Sequence, residues 1–129
     1  VDPVLGGRNK FGALSIKAAL LKKLGKEKEA VDMIKAAVEN ANILELHTYG
    51  RQLLAEKKLP EALEVFQKNF TKNKGAWPTN AGMMRIYSAM GNYKKALEHA
   101  KAALVQAPDD QNKNFLDAAV KTLSAGKPL

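Results

Sequence analysis

Cysteine is missing altogether from this chain of 129 residues. Disulfides, thiolate metal sites and a cysteine nucleophile are thereby excluded together, although no compartment is fixed by it. Aromatic residues are scarce, at 6%. Ala, Leu and Lys dominate instead, a mix that favours helices over a sandwich or barrel. No apolar run approaches the roughly 20 residues that a spanning helix needs, so membrane insertion is not expected. No secretion leader is evident either: Val1, Asp2 and Pro3 open the chain, with Gly6 and Gly7 close behind. The expectation from a start at Val is a processed protein or an excised domain whose address label has been removed. Arginine is short as well, with three against 18 lysines in a chain of net charge +8. Nucleic-acid modules use arginine forks and exposed aromatics for stacking, whereas the aromatics here fall at helix-core spacing. The charge is therefore read as a solvated lysine coat, and no nucleic-acid partner is expected.

What is present is ordinary globular composition, 46% apolar and 26% charged, in a chain long enough to bury a core without staples. Laid on itself, the chain repeats. Leu24-Gly25-Lys26-Glu27-Lys28-Glu29-Ala30-Val31 aligns with Lys57-Lys58-Leu59-Pro60-Glu61-Ala62-Leu63 and with Met90-Gly91-Asn92-Tyr93-Lys94-Lys95-Ala96-Leu97. The anchoring alanines Ala30, Ala62 and Ala96 recur at the period of roughly 34 residues that marks a helix–turn–helix repeat.

At this point the chain resembles the tetratricopeptide repeat family. Its second repeat supplies Leu46, Tyr49, Gly50, Leu53, Ala62 and Phe66, and its third Tyr87, Gly91, Tyr93, Ala96, Ala103 and Pro108. The first supplies Leu14, Ala18, Leu21, Gly25, Ala30, Ile34 and Ala37. Three departures stand out: Lys17 in place of a leucine, Asn69 in place of the late alanine, and Met84 in a position that wants a small residue. The resemblance implies an all-α fold, a right-handed α-α superhelix of three helical hairpins closed by a C-terminal capping helix. Helices are expected over 11–24, 28–41, 44–57, 60–73, 78–90, 93–106 and 111–124. The repeats then cover about 11–42, 43–76 and 77–110, within a domain spanning 11–125. Residues 1–10 are expected to be extended or disordered, and 126–129 to form a tail.

Small residues at Ala18, Ala30, Gly50, Ala62 and Ala96 let paired helices approach closely. Gly25 and Gly91 sit where a left-handed residue ends a helix. Pro60 and Pro78 suit a first helical turn, where a missing amide costs nothing. On the capping helix, Phe115, Leu116, Ala119, Val120 and Leu123 make an apolar side opposite Asn112, Lys113, Asp117 and Lys121, as the open end of a repeat array requires.

The segments Leu46–Leu54, Pro60–Phe66, Tyr87–Leu97 and Ala107–Asp110 are also similar to the C-terminal helical region of a secreted Bacteroidetes family of unknown function. That resemblance implies a periplasmic or cell-envelope home and a chain that is the tail of a larger protein.

Chemistry is sparse. His47 and His99 belong to different repeats, without the spacing of a metal site. No nucleophile elbow, Walker loop or dinucleotide fingerprint occurs, and the acidic pairs Glu27/Glu29 and Asp109/Asp110 sit at helix joints where they favour the helix N-terminus. No enzyme activity, cofactor or metal is expected.

The resemblance places the first helix of each pair along a concave surface. The register puts Ser15, Ile16, Ala19, Lys22 and Lys23 there from the first repeat. Leu44, His47, Thr48, Arg51 and Leu54 follow from the second, and Pro78, Ala81, Gly82, Arg85 and Ser88 from the third. Arg51 and Arg85 stand one repeat apart, so they should stack side by side. Paired guanidinium forks suit a carboxylate, on an acidic peptide or at a protein C-terminus. The expected site is a peptide groove with Arg51 and Arg85 as anchors and His47, Thr48, Ser88 and Lys22 as helpers. The alternatives are that each arginine pairs with an acid of its own chain or supports a domain contact within it, that the hairpins form a structural appendage on another domain of a larger envelope protein, or that the basic surface binds nucleic acid or an envelope surface. The carboxylate clamp of chaperone-binding relatives is rejected, because Ser15, Ala19, Thr48, Pro78 and Gly82 do not match it. The chain is expected to be monomeric.

Overall fold

The computed structural model describes residues 10–129. Among them are seven helices: α1 (Lys10–Lys23), α2 (Glu27–Asn40), α3 (Ile43–Ala55), α4 (Leu59–Lys72), α5 (Trp77–Ala89), α6 (Tyr93–Gln106) and α7 (Asp110–Ser124). The fold is all-α, and each helix begins and ends within two residues of its expected bounds. Of the stretch expected to be extended, only Lys10 is described, and it opens α1.

The three hairpin turns share one hydrogen-bond pattern. Lys26, Lys58 and Asn92 donate their amides to the carbonyls of Leu21, Leu53 and Tyr87. Gly25, Lys57 and Gly91 donate to Lys22, Leu54 and Ser88. This is the paired closure that a left-handed residue after a helix allows. Gly25 and Gly91 take it at φ +79° and +80°, while Lys57 takes it at φ 60° without a glycine's freedom. Helix starts are set by Pro60 and Pro78 in first turns and by three side-chain caps. Asn42 accepts from the Glu45 amide, Asn92 from the Lys95 amide and Asp109 from the Asn112 amide, each satisfying a donor that the helix cannot.

Two compact units divide the chain, 1–45 and 46–129. In the first, α1 packs along α2, and Ala18, Ala30, Ala37 and Ala41 are buried. Ile16 and Leu20 of α1 and Leu24 just past its end, each four residues from the next, are 65%, 56% and 71% exposed.

In the second unit, the rest of α3 is followed by α4 to α7, with α5 packed against both α4 and α6, and α6 against α7. Phe66 on α4 is the largest fully buried side chain. A Cβ built on Gly50 of α3 would lie 2.6 Å from its Cε1, and one on Gly82 of α5 would lie 2.5 Å from its Cδ1. The ring is therefore gripped by two helices whose glycines make the room. The repeat register assigns Gly82 to the groove-lining side; its buried contact with Phe66 makes it a packing position instead. The next hairpin inverts the arrangement. Met84 takes the position equivalent to Gly50, while Ala100 stands one repeat after Phe66, and both are fully buried in one cluster with Ala96, Ala103, Leu116, Ala119 and Leu123. The departure at Met84 is thus offset in volume by a small residue on the facing helix, as dense packing demands. Leu116, Ala119 and Leu123 of α7 close this cluster, but Phe115 stays 45% exposed rather than joining it.

Two buried asparagines hold the polar part of this core. Asn69 is fully buried and its Oδ1 accepts from Asn73 Nδ2 at 2.6 Å. Asn80, one repeat after the core residue Leu46, donates through Nδ2 to the Gly75 carbonyl at 2.9 Å and to Gln106 Oε1 at 3.0 Å. Its Oδ1 lies 2.9 Å from His99 Nδ1, which must then carry the proton. The imidazole is stacked on Tyr87 and meets Phe70 edge-on. Burial holds His99 below its ordinary pKa, with Lys95 adding to the depression and Glu98 opposing it. His99 is therefore a satisfied packing histidine.

Candidate peptide-binding site

His47, Thr48 and Arg51 project from α3 within one turn of helix, and Arg85 and Ser88 from α5. All five belong to the second unit; Lys22, exposed in the last turn of α1, belongs to the first.

Three of the five are drawn together. His47 is half-buried, edge-on to Phe66 with centroids 6.0 Å apart. Its pKa is lowered first by burial and then by the charges of Arg51 and Arg85, against a hydrogen bond with the backbone of Pro78. A proline has only a carbonyl to offer, so the imidazole donates to it. His47 Nδ1 is buried without a hydrogen-bond partner, which places the donated proton on Nε2 and leaves Nδ1 as an unused acceptor.

Arg85 is half-buried, and its pKa is lowered by burial and then by Arg51. The guanidinium carbon lies 5.3 Å from the centroid of the Phe115 ring, a cation–π contact. Its Nε is buried with no hydrogen-bond partner. Arg51 is exposed. Among the described residues, neither arginine forms an ion pair; Lys58 with Glu56, at 3.2 Å, is one that does form. Within the described residues, then, no acid of the chain stands at ion-pair distance from either arginine. Two like charges and a neutral histidine share a partly desolvated face, a costly arrangement that a bound anion would relieve.

Ser88 is buried, and its Oγ accepts a hydrogen bond from the Leu129 amide at 2.9 Å. Residues 125–129 return from the end of α7 to reach it, past a left-handed Gly126 whose amide and that of Lys127 close the helix on Leu123 and Thr122. Thr48 is exposed on α3. The contributions of Phe115, the Pro78 carbonyl and the returning segment are absent from the sequence reading. The apolar pattern assigns Phe115 wholly to the cap's inner side, and nothing in the repeat register addresses a segment beyond the last helix.

Among the described residues, no three His, Asp or Glu side chains are placed to hold a metal ion. No helix among them is long and apolar enough to cross a membrane.

The family model described as tetratricopeptide repeat matches residues 53–125, more than half of the chain. Neither the curated proteins nor the solved structures contain a match. The narrower similarity to a secreted Bacteroidetes family gains no support from these comparisons.

Proposed function

Since the chain belongs to the tetratricopeptide repeat family, whose repeats are generally protein-interaction modules, we propose that it captures an acidic segment of a partner protein. Arg51 and Arg85 are the anchors. One observation carries this reading: the two arginines feel each other's charge, and neither forms an ion pair among the described residues. A carboxylate placed between them would accept charge-assisted hydrogen bonds, the stronger kind, and Arg85 Nε would gain a hydrogen-bond partner. His47 adds a third group of adjustable charge, and Thr48 a hydroxyl on the exposed side.

The test is a fluorescence-anisotropy titration with a labelled octapeptide of alternating Glu and Val. The paired change Arg51→Ala and Arg85→Ala should weaken binding by about tenfold or more, the loss of two charged contacts. Equal binding by the wild type and the double variant rejects the site.

A second reading is that the hairpins pack on another part of a larger protein. It is supported by the exposed apolar side chains of Ile16 and Leu20 on α1 and of Leu24 just beyond it, spaced by about one helical turn, a surface of the kind that a partner domain covers.

A further inference from the structure

The segment after α7 follows a path that a freely solvated stretch would have no reason to keep. Lys127, Pro128 and Leu129 are all exposed, so burial of their side chains does little to hold them. What ties Leu129 down is its own amide, donated to Ser88 Oγ at 2.9 Å across 41 residues of sequence. Ser88 lies one helical turn beyond Arg85 on α5. A main-chain N–H on a side-chain acceptor, next to an anchor for charge, is how an extended peptide is gripped. The segment supplies the main chain but no acidic side chain: Lys127-Pro128-Leu129 carries a lysine and no side-chain carboxylate.

We propose that residues 127–129 are an intramolecular stand-in for the ligand, an autoinhibitory strap that an acidic extended segment displaces from Ser88 on binding. The inference rests on the reading of Arg51 and Arg85 given above. The strap blocks the Ser88 hydroxyl, so a ligand reaches the arginines first and completes its hold only when the Leu129 amide lets go. One neutral hydrogen bond limits the inhibition to between about two- and tenfold, weak enough to yield to a ligand that adds charge.

Leu129→Pro removes the donated hydrogen and leaves Ser88 and both arginines untouched. The same labelled octapeptide of alternating Glu and Val is titrated into wild type and Leu129→Pro, with the Leu129 amide of the wild type followed by nitrogen-15 NMR. The expected result is binding between about two- and tenfold tighter to Leu129→Pro, together with a shifted Leu129 resonance as peptide is added to the wild type. Equal affinity for both proteins, with the Leu129 resonance unmoved, overturns the strap and leaves the arginine site standing. Failure of the peptide to bind either protein overturns the arginine site and the strap with it.

Discussion

A Cβ on Gly82 would stand 2.5 Å from Cδ1 of Phe66, a separation that side chains do not tolerate. The ring has nowhere to retreat, because the place of a Cβ on Gly50 lies 2.6 Å from its Cε1. Gly50→Ala and Gly82→Ala should each destabilise the second unit by about 1–3 kcal/mol, the usual cost of overpacking. Urea denaturation checks this, and Phe66→Leu should recover part of the loss in either background. If Gly82→Ala alone is neutral, the ring is not clamped.

Lys57 holds the left-handed position that Gly25 and Gly91 fill in the neighbouring turns, at φ 60°. An L-residue there carries a steric cost of about 1–2 kcal/mol. Lys57→Gly should raise stability by about 1 kcal/mol once the glycine's extra unfolded-state freedom is set against that relief. A higher urea midpoint with unchanged slope is the expected outcome. Lys26→Gly, one residue past the equivalent position, should give no such gain.

Arg85 is half-buried near a second positive charge, with no carboxylate in ion-pair reach among the described residues. Replacing it by Met keeps the aliphatic volume and removes the strain of an uncompensated charge. Arg85→Met is expected to stabilise the free protein by about 0.5–1 kcal/mol while weakening peptide binding, the exchange of stability for function common at binding sites. Thermal melts at low and high salt are the check, with the gain shrinking as salt screens the repulsion.

His47 and His99 both titrate below the ordinary 6.5 in the folded chain. Between that value and their folded pKa values the unfolded chain binds more protons than the native one, so stability falls as pH falls. The contribution is complete above about pH 6.5 and is lost progressively below it. His47→Gln keeps the donor towards Pro78, and His99→Asn keeps the one towards Asn80. Urea midpoints measured at neutral and mildly acidic pH should fall less for this double variant than for the wild type.

Peptide binding should respond to acid in the opposite direction. A bound carboxylate offsets the positive field of Arg51 and Arg85 at His47 and favours its protonation, so affinity for an acidic peptide should rise as pH falls below 6.5. His47→Gln should abolish the slope. A wild-type affinity that is flat with pH removes His47 from the site.

The helical frame was legible because its determinants are local. Ala30, Ala62 and Ala96 fix the repeat, Gly25 and Gly91 mark turns, and Pro60 and Pro78 mark helix starts, each through backbone geometry that the residue type dictates. That Arg51 bears electrostatically on Arg85 accords with their spacing by one repeat, which puts two side chains on equivalent faces. Volume is harder to see. Met84 reads as a flaw until the facing Ala100 shows which side gives way, and that pairing is a property of two helices together. The register misplaces Gly82 for the same reason. The network of Asn80, His99 and Gln106 leaves one trace, an asparagine where the preceding repeat has the core residue Leu46. The bond from Leu129 to Ser88 leaves none, because no periodic rule reaches past the last helix.

Gly75 carries a consequence for how the third hairpin comes apart. Its carbonyl receives the amide groups of both Asn80 and Gln106, each at 2.9 Å, so the far end of α6 is buckled to the entry of α5. Neither helix can fray from that end without releasing its neighbour, and amide exchange along α5 and α6 should proceed through one shared opening event rather than two separate ones.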